Sequence, residues 1–167
     1  VVLGFAGDEW CDVAGRRVSS AGGVAGGGLA DLLLGAPGSY ARERVGTAYL
    51  ILASRLGSDT EIDLGDADYR FSGEESRDYA GGSVASPGDV DGDGLGDILV
   101  GAWKYGEDLS QVGKTYLFFG ASLGGSATIS LADADYSFLG ENDSDHAGWS
   151  VSKAGDVDGD GFDDILI

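Results

Sequence analysis

The chain has no methionine, one cysteine, one histidine and two prolines among 167 residues, and only 10 basic side chains against 29 acidic ones. Each scarcity closes something off. Cys11 alone cannot form an internal disulfide, and it leaves the redox compartment open. A chain without methionine reads as a processed product, an expressed piece or a fragment, and no signal peptide is recognisable. No run of about 18 apolar residues is present to cross a membrane, so membrane insertion is not expected. The net charge of −19 excludes nucleic acid as a partner, because phosphate binding needs clustered lysine and arginine. It also argues against docking on an anionic membrane surface.

What remains is apolar enough to fold. Hydrophobic residues make up 43% of the chain and 16 side chains are aromatic, which no disordered acidic tail would carry. The length suits one domain with a sizeable core. The 31 glycines lack a collagen-like period and mark many tight turns.

The chain repeats itself. FAGDEWCDVAGRRVSSAGGVAGGGLADLLLGAP from Phe5, FSGEESRDYAGGSVASPGDVDGDGLGDILVGAW from Phe71 and FLGENDSDHAGWSVSKAGDVDGDGFDDILI from Phe138 align. Their first residues stand 66 and then 67 positions apart. The extra residue falls in WKYGEDLSQV, a polar loop where an insertion is tolerated. The units are 5–70, 71–137 and a partial 138–167. Within the second, short β-branched and aromatic runs appear at Gly82–Ala85, Asp97–Ala102 and Thr115–Phe119. A fourth spans Thr128–Leu131 and leads into Tyr136–Phe138. These runs are too short for helices; LADADY suits a single helical turn or a bulge. Four short strands per unit predict an all-β chain of β-propeller blades, each of four antiparallel strands, with about two and a half blades present.

Between the first two strands of the second unit, Asp89, Asp91, Asp93 and Asp97 occupy loop positions 1, 3, 5 and 9. Asp156, Asp158, Asp160 and Asp164 do the same in the third. Alternation in a curled loop turns odd-numbered side chains toward one centre, and Gly94 and Gly161 at position 6 permit the sharp turn that such loops need. Position 7, Leu95 or Phe162, offers a backbone carbonyl, so its side chain is expected to be free to vary. Hard anionic oxygens in this number suit Ca²⁺; zinc would call for histidine or cysteine. Position 12, a bidentate glutamate in an EF-hand, is Val100 or Ile167, so a helix-opening sensor is a poor fit. The first unit reads GGVAGGGLAD, with Gly23, Ala25 and Gly27 at positions 1, 3 and 5 and only Asp31 kept. Two calcium sites are expected, and none in the first unit.

These motifs, Phe-x-Gly at each unit's start, Gly35-Ala36-Pro37, and D-x-D-G-D-G-x-x-D, resemble the FG-GAP repeats of integrin α-subunit propellers and of bacterial integrin-like repeat proteins. The resemblance covers nearly the whole chain. It implies seven blades in a complete ring, calcium held by the aspartates named above, and a role in adhesion or protein recognition outside the cell. The second unit departs from the pattern with Gly101-Ala102-Trp103, which is expected to alter only the loop.

Other chemistry is sparse. His146 aligns with Tyr79 and Val13, so it reads as a packing position and not a general base. Asp12, Asp78 and Asp145 recur one place earlier and read as turn-fixing residues. Cys11 aligns with Arg77 and Ser144 at a variable position, and Trp10, Trp103 and Trp149 read as turn or blade packing, with part of a ligand face as the alternative. AGGVAGGGLAD lacks the lysine of a phosphate loop. The expected function is therefore a non-enzymatic, calcium-binding scaffold or adhesion module that engages a protein or cell-surface ligand. It would be extracellular, and either a homo-oligomer or part of a larger propeller. Alternatives are a self-assembling fragment whose copies complete a ring, and a propeller enzyme such as a hydrolase or lyase.

Overall fold

The computed structural model describes residues 4–7, 13–38, 45–57, 61–106 and 111–167. Among them the chain is all-β, relieved only by single 3-10 turns. The first set of strands comprises β1 (Gly4–Ala6), β2 (Arg17–Gly22), β3 (Asp31–Ala36), β4 (Thr47–Ile51), β5 (Glu61–Asp63) and β6 (Tyr69–Ser72). The second comprises β7 (Ala80–Ala85), β8 (Ile98–Ala102), β9 (Lys114–Phe118), β10 (Thr128–Ser130) and β11 (Tyr136–Leu139). A hairpin of β12 (Ser152–Gly155) and β13 (Asp164–Leu166) follows.

Strands β2-β3-β4-β6 form one antiparallel blade and β7-β8-β9-β11 the next; β12 and β13 open a third. One strand assignment differs from the sequence-based expectation. The run at Thr128–Leu131 was expected to contribute to the fourth strand of its own blade. Instead β10 pairs in parallel with β6 of the preceding blade, setting Ile129 opposite Phe71. In the same way β5 pairs in parallel with β1, setting Ile62 opposite Phe5. The cause is the turn in LGDADY and LADADY. A 3-10 turn over Leu64–Asp66 or Leu131–Asp133 redirects the chain, capped by Asp63 accepting from the Gly65 N–H and Ser130 accepting from the Ala132 N–H. Asp68 then accepts the Leu52 N–H at 2.9 Å and Asp135 the Phe119 N–H at 2.8 Å, tying the returning chain to the end of β4 or β9. Sequence unit and structural blade are thus offset by one strand: Phe71 opens the second unit, yet its strand closes the first blade.

The strands read as nearly continuous apolar runs because both of their faces are covered. Leu33 and Leu50 of the first blade meet Val84, Ile98, Val100, Tyr116 and Phe118 of the second, with Phe71 and Phe118 rings 5.0 Å apart. Alternate residues Leu34, Tyr49 and Ile51 face the other side, with Ile62 and Leu64. Leu99 and Leu117 of the second blade pack against Val151 of the third. Close blade contact depends on glycine. A Cβ at Gly35 would collide with the Gly81 carbonyl, and one at Gly101 with the Gly148 carbonyl. The Gly-Ala pair that ends β3 and β8 therefore marks the place where adjacent backbones touch.

Candidate metal centres

The hairpin loop joining the first two strands of each blade emerges at one end of the sheet. In the second blade this loop carries Asp89, Asp91, Asp93 and Asp97; in the third, Asp156, Asp158, Asp160 and Asp164. The backbone is curled by left-handed glycines at positions 4 and 6, with φ of +80° and +86° at Gly92 and Gly94, and +82° and +96° at Gly159 and Gly161. Only glycine adopts this conformation without steric cost.

Position 1 organises the curl. Asp89 accepts the Gly92 N–H at 2.7 Å through Oδ1 and the Gly94 N–H at 2.9 Å through Oδ2. Asp156 accepts from Gly159 and Gly161 at 2.7 and 3.1 Å. Asp91 and Asp93 each accept the N–H two residues on, as do Asp158 and Asp160. The result gathers carboxylate oxygens of Asp89, Asp91 and Asp93 within 4.8 Å of one another, and those of Asp156, Asp158 and Asp164 likewise. Leu95 and Phe162 follow at position 7, where the backbone carbonyl was expected to be the donor.

Position 9 does something the sequence did not reveal. Asp97 is fully buried, and its carboxylate spans two elements: Oδ2 accepts the Val90 N–H at 2.7 Å and Oδ1 the Gly120 N–H at 2.9 Å. It fastens the loop to the 3-10 turn after β9. Burial pushes its pKa up to about 6; the two backbone hydrogen bonds oppose that, and the charges of Asp91 and Asp93 add to it. Each Asp97 oxygen keeps a lone pair beyond its one N–H bond. In the third blade Asp164 accepts the Val157 N–H at 2.7 Å in the same way.

The first blade shows the same bracket without the other carboxylates. Asp31 accepts from Ala25 at 3.3 Å and from Ala53, in the 3-10 turn after β4, at 2.7 Å. Gly26 and Gly28 keep left-handed φ of +72° and +69°. With no side chain at position 1, the Gly26 N–H turns to the Gly23 carbonyl at 3.1 Å. The strands RRVSSA and DLLLGAP persist as β2 and β3 around this loop.

The expectation that position 7 is free to vary needs correcting. Leu95 reaches across to the first loop, its Cδ2 3.1 Å from where a Cβ on Gly26 would stand, and Phe162 covers Gly92 so closely that a Cβ there would collide with its ring. These side chains pack a position-4 glycine one blade back, so they must be apolar although their shape varies.

The donor set fits a divalent oxygen-seeking cation. Three carboxylates converge, their hydrogen bonds come from backbone N–H groups, and among the described residues no lysine or arginine forms an ion pair with Asp89, Asp91, Asp93, Asp156, Asp158 or Asp164. Zinc's preferred histidine and thiolate are absent from both loops.

Other recurring residues serve the turn that enters each blade. Asp78 accepts the Glu75 N–H and Asp145 the Asn142 N–H, both at 2.8 Å. The next residue is left-handed each time, with φ of 57° at Val13, 58° at Tyr79 and 55° at His146. His146 packs edge-on to Trp103 with ring centroids 5.4 Å apart, and its Nε2 lies 3.2 Å from Gln111 Oε1. Trp103 also meets Tyr79 and Trp149, and it lies over Gly82. Trp10, Cys11 and Asp12 fall outside the described residues. Sequence reasoning missed a polar group between the blades: Glu74 takes a 2.6 Å ion pair from Lys114 and a 2.7 Å hydrogen bond from Tyr116. Burial works against the Glu74 charge, but these partners outweigh it and lower its pKa. Nothing in FSGEE or KTYLF alone signals that pairing, which only blade packing creates.

Fold and loops together define a β-propeller segment whose blades carry acidic, glycine-curled hairpin loops. A family model described as FG-GAP repeat matches residues 81–118, the first three strands of the second blade and their loop. Phosphatidylinositol-glycan-specific phospholipase D of Homo sapiens is 34% identical over 150 residues, covering 84% of this chain and 16% of that protein. Integrin alpha-3 of Cricetulus griseus is 33% identical over 141 residues, covering 84% of the chain and 12% of the integrin. Integrin alpha-5 of Xenopus laevis is 32% identical over 105 residues, covering 59% and 9%. The chain therefore spans about a sixth or less of the length of these relatives. It is an integrin-like FG-GAP repeat protein.

Proposed function

We propose that the chain is a calcium-stabilised, integrin-like propeller segment that serves outside the cell as a scaffold or adhesion module. The observation that carries the reading is the pair of loops that each gather three carboxylates within 4.8 Å, beside a first loop of the same backbone curl that lacks them. Carboxylates held so close repel unless a cation is shared. Asp89, Asp91, Asp93 and Asp97 with the Leu95 carbonyl would hold one ion, and Asp156, Asp158, Asp160 and Asp164 with the Phe162 carbonyl the other. A bound cation supplies charge neutralisation and cross-links the loop; the chain's own residues set the curl, position the oxygens and anchor the loop to its blade. The integrin relatives support placement at the cell surface or beyond, where calcium is plentiful. A protein or cell-surface ligand is the partner in this reading. Thermal melts in EDTA and then in Ca²⁺ test it: the melting temperature should rise with calcium, and an unchanged value would overturn the reading.

The phospholipase D relatives favour a second reading, in which the segment is the propeller part of a larger enzyme. Here the chain itself would contribute architecture and not catalysis. Assay of the chain alone against a phosphatidylinositol-glycan substrate should show no turnover.

A further inference from the structure

The second and third loops are in direct contact. Asp163, at position 8 of the third loop, accepts the Asp89 N–H at 3.0 Å and the Lys153 ammonium at 2.6 Å, both through Oδ2. Its own N–H donates to the Asp89 carbonyl at 2.9 Å. Both backbone polar groups of Asp89, whose side chain is the position-1 carboxylate of the second loop, are therefore held by the third. Gly88 leaves the space for this: a Cβ there would collide with the Asp163 carboxylate. One residue earlier, the Phe162 ring lies on Gly92, between Asp91 and Asp93.

The same two residues face both ways. Phe162 turns its side chain to the second loop, and its carbonyl is the expected position-7 donor of the third. The junction between the first and second loops repeats the register but not the chemistry. Gly96 donates to the Gly23 carbonyl at 3.3 Å and Leu95 lies against Gly26, yet position 8 has no carboxylate and the first loop has no ligands at positions 1, 3 and 5.

We propose that the second and third loops bind cation as a coupled pair, with Phe162 and Asp163 transmitting order from the third loop to Asp89 and Gly92 of the second. This rests on the cation reading above. Closing the third loop around its carboxylates fixes residues 162 and 163, and these fix the curl that the second loop needs. By linkage, filling the second loop favours the third to the same degree.

Calcium titration calorimetry on the full chain tests the coupling. The wild type should bind two ions with positive cooperativity, the second at least about five-fold more tightly than the first. Phe162→Ala with Asp163→Asn should still bind two ions, but with a Hill coefficient of 1. Asp163→Asn alone, a near-isosteric change, should already lower the coefficient. Two independent sites in the wild type, or cooperativity unchanged in the double variant, would overturn the coupling while leaving the cation reading intact. No calcium bound by the wild type would overturn both.

Discussion

The first and second hairpin loops share a backbone and differ in their carboxylates. Both curl on left-handed glycines at positions 4 and 6. Both place a buried aspartate at position 9, Asp31 or Asp97, that joins the loop to the 3-10 turn after the third strand. Only the second has aspartates at positions 1, 3 and 5. The comparison separates two jobs that the motif merges. Glycines and the position-9 bracket suffice to build the first loop; in the second, the three outer carboxylates add hydrogen bonds to the curl and a cluster of negative charge that the curl itself does not need. They are what a cation would explain.

The largest expected effect comes from breaking what the loops share. Asp31→Ala and Asp97→Ala each orphan two backbone N–H groups at the edge of the core, at about 1–3 kcal/mol per group. Urea denaturation should show both variants losing several kcal/mol of stability. Calcium dialysis should show Asp31→Ala still binding two ions, since no cation depends on it. Breaking the difference comes next. Asp91→Ala with Asp158→Ala should abolish calcium binding and the calcium-dependent rise in melting temperature. That rise corresponds to about 2.7 kcal/mol per site at a hundred times Kd. In EDTA the double variant should melt no lower than wild type, because it has shed mutual repulsion.

The comparison can also be sharpened by construction of the missing site. Gly23→Asp, Ala25→Asp and Gly27→Asp place carboxylates on a backbone already curled; Gly23 and Gly27 do not have left-handed φ, and a Cβ on Gly27 meets nothing within 4 Å. The triple variant should bind a third ion by equilibrium dialysis and melt lower than wild type in EDTA.

The smallest effect is in pH. Burial, first, together with the Glu75 and Glu74 charges raises the Asp78 pKa from 3.8 to about 7, against the hydrogen bond from Glu75. Asp97 is raised to about 6. A carboxyl with a raised pKa binds its proton more tightly in the folded chain than in the unfolded one. Its contribution is therefore full below pH 3.8 and is lost as pH rises through the folded value. In EDTA, stability should fall between about pH 4 and 7, and Asp78→Asn should flatten the upper part of that fall. With calcium the contribution of Asp97 reverses, because a cation requires the ionised form.

Much of this was legible in the sequence because the repeat supplies its own alignment. Alternating aspartates with glycine at position 6 indicated the curl, and DLLLGA and DILVGA indicated short strands. Three things were not legible. The TIS and EID runs look like members of their own blade, since parallel pairing to a neighbour leaves no local trace. One of the two hydrogen bonds to the Asp97 carboxylate comes from a turn 23 residues away. Leu95 and Phe162 seemed interchangeable because the glycines they cover belong to another repeat unit.

The central claim is that the second and third loops hold cations and the first does not. Counting bound calcium by equilibrium dialysis tests this most directly, on the wild type beside Asp91→Ala and Asp158→Ala. The account predicts two ions per wild-type chain and one in each single variant. No bound ion, or a count that neither substitution lowers, would contradict it.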